Sequence, residues 1–195
     1  IPLIKARRQL DSEKHKITHT QKKVAADDKP SVALRGGRDT SMRLAIDLVS
    51  DGSADGVVSA GNTGALMAMS KLSLRMCPGI ERPAIASFFP TLKGESCMLD
   101  LGANIECDAN NLVQFAVMGE IFARIVLGLK NPSVGLLNVG SEEQKGHEEL
   151  REAATTLREL SSVMKFMGFI EGDDITAGTV DVVVTDGFSG NVALK

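Results

Sequence analysis

The sequence predicts an α/β protein with a mostly parallel sheet, and three observations carry that reading. Four short apolar runs each close on a glycine with polar neighbours: Asp55–Ser59 before Gly61, Met98–Leu101 before Gly102, Val134–Val139 before Gly140, and Val180–Asp186 before Gly187. Stretches of helical length and period separate them, the alternation that builds parallel sheets. The composition, 43% hydrophobic and 24% charged over 195 residues, supports a real core. No low-complexity stretch or Pro/Ser-rich linker divides the chain, so one domain over 1–195 is expected. It starts at Ile1-Pro2 and stops in what reads as a helical turn, so it is expected to be the central part of a longer protein.

The elements follow in order. The chain is expected to begin inside a helix, with Lys16–Gln21 as a short strand and 26–30 as a loop. Pro30 opens a short turn over Ser31–Arg35, which Gly36 and Gly37 break. Asp39 or Thr40 caps a helix whose apolar side is Met42, Leu44, Ala45, Leu48 and Val49, ending at Asp51-Gly52. Asp55–Ser59 is the first strand. A helix runs from Thr63 to about Met76, stopped by Cys77-Pro-Gly79. Ala84–Phe89 and Glu95–Leu101 are strands joined by Pro90–Gly94, a link short enough for an antiparallel pair. Asp108 caps a long helix over Asn110–Gly128. Its apolar residues cover more than one face, which predicts a shared surface in a homodimer. Val134–Val139 is a strand, Gly146–Leu160 an amphipathic helix, Met164–Ile170 a strand and Glu171–Asp174 a loop. The last strand leads through Asp186-Gly187 to a helical turn at Asn191–Lys195.

Charge and composition exclude several classes. Residues 1–43 hold 11 of the 22 Lys+Arg and 5 of the 25 Asp+Glu, a local balance of +6 against −9 for the rest. Such a segment suits an acidic partner or a solvated edge. Trp and Tyr are absent, which argues against nucleic-acid stacking. Cys77, Cys97 and Cys107 form no Cys-x-x-Cys pair and read as reduced, intracellular cysteine. His15 and His19 lie four apart in a strand-like segment, which disfavours zinc; His147 reads as a surface residue at a helix start. No run approaches the roughly 18 apolar residues of a spanning helix.

Chemistry concentrates at the strand ends. In Ser59-Ala-Gly-Asn-Thr-Gly64, the glycines permit a tight turn, and Asn62 or Thr63 starts a helix. Free N–H groups at the positive end of a helix make an anion site, although a plain capped turn has the same spacing. There is neither a Gly-x-Gly-x-x-Gly fingerprint nor a Walker loop.

Five ordered blocks are similar to one family. Val58–Leu66, Gly79–Ala84, Leu99–Asn104, Leu137–Gly146 and Thr185–Lys195 resemble the phosphate acyltransferase (PlsX) family of bacterial phospholipid synthesis, from about residue 30 to the end. The resemblance implies a three-layer α/β/α sandwich of the isopropylmalate dehydrogenase and phosphotransacetylase type, usually a homodimer. It implies an enzyme that moves a fatty acyl group from acyl carrier protein to inorganic phosphate, giving acyl phosphate. It places the protein in the cytoplasm with peripheral membrane association. The family's leading strand with its Asp-x-Met-Gly-Gly turn is missing.

The residues suit that chemistry. Ser59, Gly61, Asn62, Thr63 and Gly64 offer donors for phosphate, and Gly187, Ser189, Gly190 and Asn191 offer a second set. Lys145, on a glycine-bounded loop, is placed to meet phosphate or an oxyanion. Asp100, Asn104 and Asp186 are assigned to orienting Lys145, Arg82 or backbone groups, with Lys145, Asp186 and Asn104 as the catalytic set. No nucleophilic Ser or Cys, cofactor or metal is expected. Two other classes compete. An oxidoreductase or acetyltransferase of the same fold would need nucleotide or coenzyme A contacts that the sequence does not show. A non-catalytic carrier-protein- or membrane-binding fragment would suit the basic first 43 residues.

Overall fold

The computed structural model describes residues 16–195, which fall into two compact units divided between Arg75 and Met76. The expected N-terminal helix, His15 and the basic residues Arg7, Arg8 and Lys14 lie outside the described residues.

The described part of the first unit is helical: α1 (Pro30–Gly36), α2 (Ser41–Ser50) and α3 (Thr63–Leu74). Pro30 takes the first helical position of α1, where its missing N–H costs nothing. The Thr40 hydroxyl caps α2 by accepting from the Arg43 N–H. Ala33, Met42, Ile46, Ala65 and Met69 form the core of this unit. The strands expected at Lys16–Gln21 and Asp55–Ser59 are both irregular backbone instead. The physical reason is the lack of a ladder: no strand lies among the described residues of this unit. The β-branched pair Val57-Val58 therefore has no strand to pair with among the described residues. Val57 packs on the small core, while Val58 is fully exposed.

The second unit carries the sheet. Its strands are β1 (Ala86–Thr91), β2 (Gly94–Leu99), β3 (Ser133–Leu137), β4 (Lys165–Ile170) and β5 (Val182–Val184), in the order β1-β2-β5-β3-β4. β1 and β2 form the expected antiparallel hairpin, with Leu92-Lys93 as its turn and Pro90 on the edge strand opposite Glu95. The other pairings are parallel. The β3–β4 ladder shifts register between Val134 and Leu136, where β4 bulges at Gly168 with φ +92°.

Helices α4 (Ala109–Val126) and α5 (Glu148–Glu159) cover one face of the sheet. Leu112, Phe115 and Ala116 of α4 and Ala153, Ala154 and Leu157 of α5 pack on Leu99, Val134, Leu136, Val182 and Val184. A Cβ on Gly119 would lie 2.6 Å from Val182, so glycine lets α4 approach the sheet closely. On the other face, Met98, Val183 and Ile170 gather with Ile175. Ile175 belongs to α6 (Gly172–Ala177), a helix where the sequence suggests only a loop. Glu171 and Asp174 form a reciprocal capping box there, a signal that the acidic cluster conceals. The last helix, α7 (Gly187–Leu194), starts one turn earlier than expected because Asp186 caps it. With helices on both faces of a mostly parallel sheet, the α/β class is borne out.

α4 keeps Ile121, Phe122, Ile125 and Val126 exposed, Ile125 by 76%, and stacks Phe122 on Phe88 with ring centroids 5.4 Å apart. A homodimer through this stripe is the expected assembly. Light scattering at micromolar concentration should give twice the protomer mass for the full-length protein, and Ile125→Asp should halve it. A monomeric wild type would discard this interface.

Candidate functional site

β2, β3, β4 and β5 end at Leu99, Leu137, Ile170 and Val184, along one edge of the sheet. This edge brings together Asp100, Asn104 and Asp186, and the loop that carries the exposed Lys145 reaches the same edge through Val139 and Gly146. A cavity of about 850 Å³ opens there. Leu112, Leu137, Leu150 and Phe188 supply apolar walls; Asn138, Asp186, Ser189 and Cys107 supply polar ones.

Asp100 is completely buried, and its carboxylate is spent on the chain itself. Oδ1 accepts from the N–H groups of Ile85, Gly102 and Ala103 at 3.0–3.2 Å. Oδ2 accepts from the Asn104 N–H at 2.6 Å and from Asn104 Nδ2 at 2.8 Å. Of the orienting roles open to it in the sequence, backbone groups are the one realised, not Lys145 or Arg82. Asn104 is equally committed: Nδ2 also donates to the Pro83 carbonyl, and its own carbonyl accepts from the Gly187 N–H at 2.7 Å. Arg82 donates from Nη1 to the Glu106 carbonyl, holding one rim of the cavity.

The second donor set is turned inward. The Ser189 N–H and hydroxyl both donate to the Asp186 carboxylate, at 2.8 and 2.9 Å. The Gly190 N–H donates to the Asp186 carbonyl, and Asn191 Nδ2 donates to the Leu101 carbonyl. The positive end of α7 is thus met by a carboxylate of the same chain. The glycines serve packing: a Cβ on Gly187 would lie 2.6 Å from the Asn104 carbonyl oxygen, and one on Gly190 would overlap the Asp100 carbonyl oxygen.

In the first unit, Ser59 Oγ accepts from the Gly61 N–H, and Gly64 passes close to Pro30. The sequence assigns Asn62 to the phosphate donors, pointing into the cleft with Thr63 rather than merely capping the helix; in the structure the Asn62 side chain is the cap. Oδ1 accepts from the Ala65 N–H at 2.9 Å, while Nδ2 donates to the carbonyls of Ala26 and Asp28 at 3.0 and 2.9 Å. Thr63 is exposed at the helix start. Asn62→Ala is therefore expected to lower stability by about 1–2 kcal/mol, a capping effect enlarged by the lost loop contacts. Urea denaturation measures it; an unchanged midpoint would contradict the clasp.

Lys145 sits on the loop 139–146 after β3, exposed, and its backbone N–H closes a turn on the Glu142 carbonyl at 3.0 Å. Asn138 and His147, which flank this loop, line the cavity and were not singled out for chemistry from the sequence. A polar residue directly after a buried strand was the available signal for Asn138.

Burial pushes the thiols of Cys97 and Cys107 up to about 11. Cys97 is the expected buried strand residue, Cys107 is half-buried at the cavity, and Cys77 is exposed. A thiol protonated at neutral pH is a poor nucleophile. Replacing all three with Ala or Ser is expected to leave turnover of the full-length protein within a few-fold. Mass-spectrometric trapping of an acyl-cysteine would contradict that. Among the described residues, no three His, Cys, Asp or Glu side chains group to hold a metal ion, and no helix is long and apolar enough to cross a membrane.

A mostly parallel sheet with its polar loops and cavity at the carboxyl edge is the architecture of an α/β ligand-binding protein. The family model described as "Fatty acid synthesis protein" matches residues 1–195, and the chain belongs to that family. Among its relatives, the phosphate acyltransferase of Rhodospirillum centenum is 70% identical over 179 residues, covering 92% of this chain and 50% of the relative. That of Paramagnetospirillum magneticum is 63% identical, with 92% and 51% covered. The chain thus spans about half the length of the curated relatives it matches. A phosphotransacetylase structure from Streptococcus pyogenes matches with TM-score 0.66 at 21% identity, covering 84% of this chain and 56% of that one. At that identity the likeness concerns the fold. The family resemblance read from the five sequence blocks is borne out.

Proposed function

We propose that the full-length protein is a phosphate acyltransferase that moves a fatty acyl group from acyl carrier protein to inorganic phosphate. The observation that supports this best is the carboxyl edge of the sheet, where a partly apolar cavity adjoins a loop bearing Lys145. The names of the relatives point the same way. In this reading a phosphate oxygen attacks the thioester carbonyl carbon, forming the C–O bond. The tetrahedral intermediate collapses with rupture of the C–S bond. The proton of monohydrogen phosphate passes to the carrier thiolate, so the products are acyl phosphate and free carrier thiol. Phosphate is its own nucleophile, so the protein's contribution is positioning and charge.

Lys145 is assigned to phosphate. Asp186 borders the reacting groups and, with Asp100 and Asn104, keeps the adjoining loop and helix rigid. Ser59, Gly61 and Asn62 shape the α3 start, and the exposed Thr63 with Gly64 offers a further anion contact on the first unit. The protein is proposed to work in the cytoplasm as a homodimer, touching the membrane peripherally without a cofactor.

The test supplies the full-length protein with acyl carrier protein, its acyl group attached, and phosphate. Acyl phosphate trapped as hydroxamate, with equal release of carrier thiol, is expected. Product from acyl-coenzyme A alone would instead favour a phosphotransacetylase-like enzyme. Carrier binding without product would favour a non-catalytic binding protein.

A further inference from the structure

The loop 139–146 is fastened at both ends by one side chain. Asn138, only 8% exposed, donates from Nδ2 to the Lys145 carbonyl at 3.1 Å. Its Oδ1 accepts from the Val139 N–H at 2.8 Å. Gly146 then turns with φ +84°, and it has no room for a side chain because an added Cβ would run into the Asn138 amide. Ser141 adds a third fastening by donating its N–H to Glu171 Oε1 at 3.2 Å. Gly140 passes beneath the Lys145 stem, where an added Cβ would lie 3.2 Å from Lys145 Cγ.

We propose that Asn138 is a positioning residue for Lys145, closing loop 139–146 so that the lysine ammonium is held ready for phosphate. The inference rests on the assignment of Lys145 to phosphate made above. A long, flexible lysine loses rotamer and backbone freedom on meeting an anion, and a loop already closed lowers that cost before binding. A planar amide suits the task, because it accepts at the loop's first residue and donates at its last ion-bearing one. Neither an apolar side chain nor a carboxylate does both.

The test uses the full-length protein, with inorganic phosphate as the titrant in calorimetry. Lys145→Ala and Asn138→Ala are each expected to raise the phosphate Kd about tenfold or more, the size of a lost charge-assisted hydrogen bond. The double variant should be no weaker than Lys145→Ala alone, within about twofold, because Asn138 acts through the lysine. Asn138→Asp preserves the shape and the acceptor for Val139 but loses the donor to Lys145, and it should weaken phosphate as Asn138→Ala does. Circular dichroism establishes that each variant is folded. The proposal is overturned if either Asn138 variant, folded, binds phosphate within twofold of wild type. It is overturned equally if its loss adds to that of Lys145→Ala, if Lys145→Ala itself has no effect, or if neither Asn138 variant folds. Should the phosphate pattern hold while no acyl phosphate forms, the acyltransferase reading fails and the positioning role stands.

Discussion

Asp100→Ala is expected to cost about 3 kcal/mol, because it strips a fully buried acceptor from several partly buried donors at once. The N–H groups of Ile85, Gly102, Ala103 and Asn104 all end on that carboxylate, as does the Asn104 amide. The carboxylate they share has no exposed surface, so the space it leaves is closed to bulk water. Asn104 would then lose its grip on the Pro83 carbonyl and loosen its contact with Gly187. Thermal and urea denaturation of the full-length protein measure the loss. Asp100→Asn should cost less, because one oxygen is kept. A melting temperature within a degree or two of wild type for Asp100→Ala would show that the turn does not depend on its carboxylate.

Lys145→Ala is expected to do the opposite: large in turnover, negligible in stability. The side chain is exposed, so its removal opens no core. Losing a positioned cation that meets the reacting phosphate should lower kcat/KM by about 10²–10³. Lys145→Arg should recover part of this, since charge is kept while the fork geometry differs from a point ammonium. Steady-state assays with phosphate as the varied substrate decide it. Wild-type kinetics for Lys145→Ala would move the anion site elsewhere, with the start of α3 as the next candidate.

Much of the second unit was legible in the sequence because its signals are local. Asp108 before a long apolar stretch, and short β-branched runs ending at glycine, suffice to place α4, β3 and β5. Ser59 to Gly64 and Asp186 to Asn191 were harder. The same hydroxyl, amide and glycine pattern serves a phosphate or the chain's own backbone, and the choice depends on which acceptors lie nearby in space. Asn62 finds the carbonyls of Ala26 and Asp28 more than thirty residues upstream. Gly190 is glycine because the Asp100 carbonyl passes against it, ninety residues back. Such contacts leave no periodicity to read. The missing strand at Asp55–Ser59 has the same origin: β-propensity is realised only beside a partner.

The two rims of the sheet among the described residues have a further consequence, for how readily another strand could add to them. An open edge strand is a template on which another chain adds its own backbone. On one rim, Pro90 removes a donor from β1. On the other, the Gly168 bulge bends β4 out of a straight ladder. Neither rim presents an uninterrupted row of donors and acceptors to an incoming strand. Strand addition through the backbone, which is indifferent to sequence, is thereby disfavoured at both rims, and the homodimer proposed above would rest on side chains such as those exposed on α4. In a crowded cell that favours a closed, countable complex over a fibre without end.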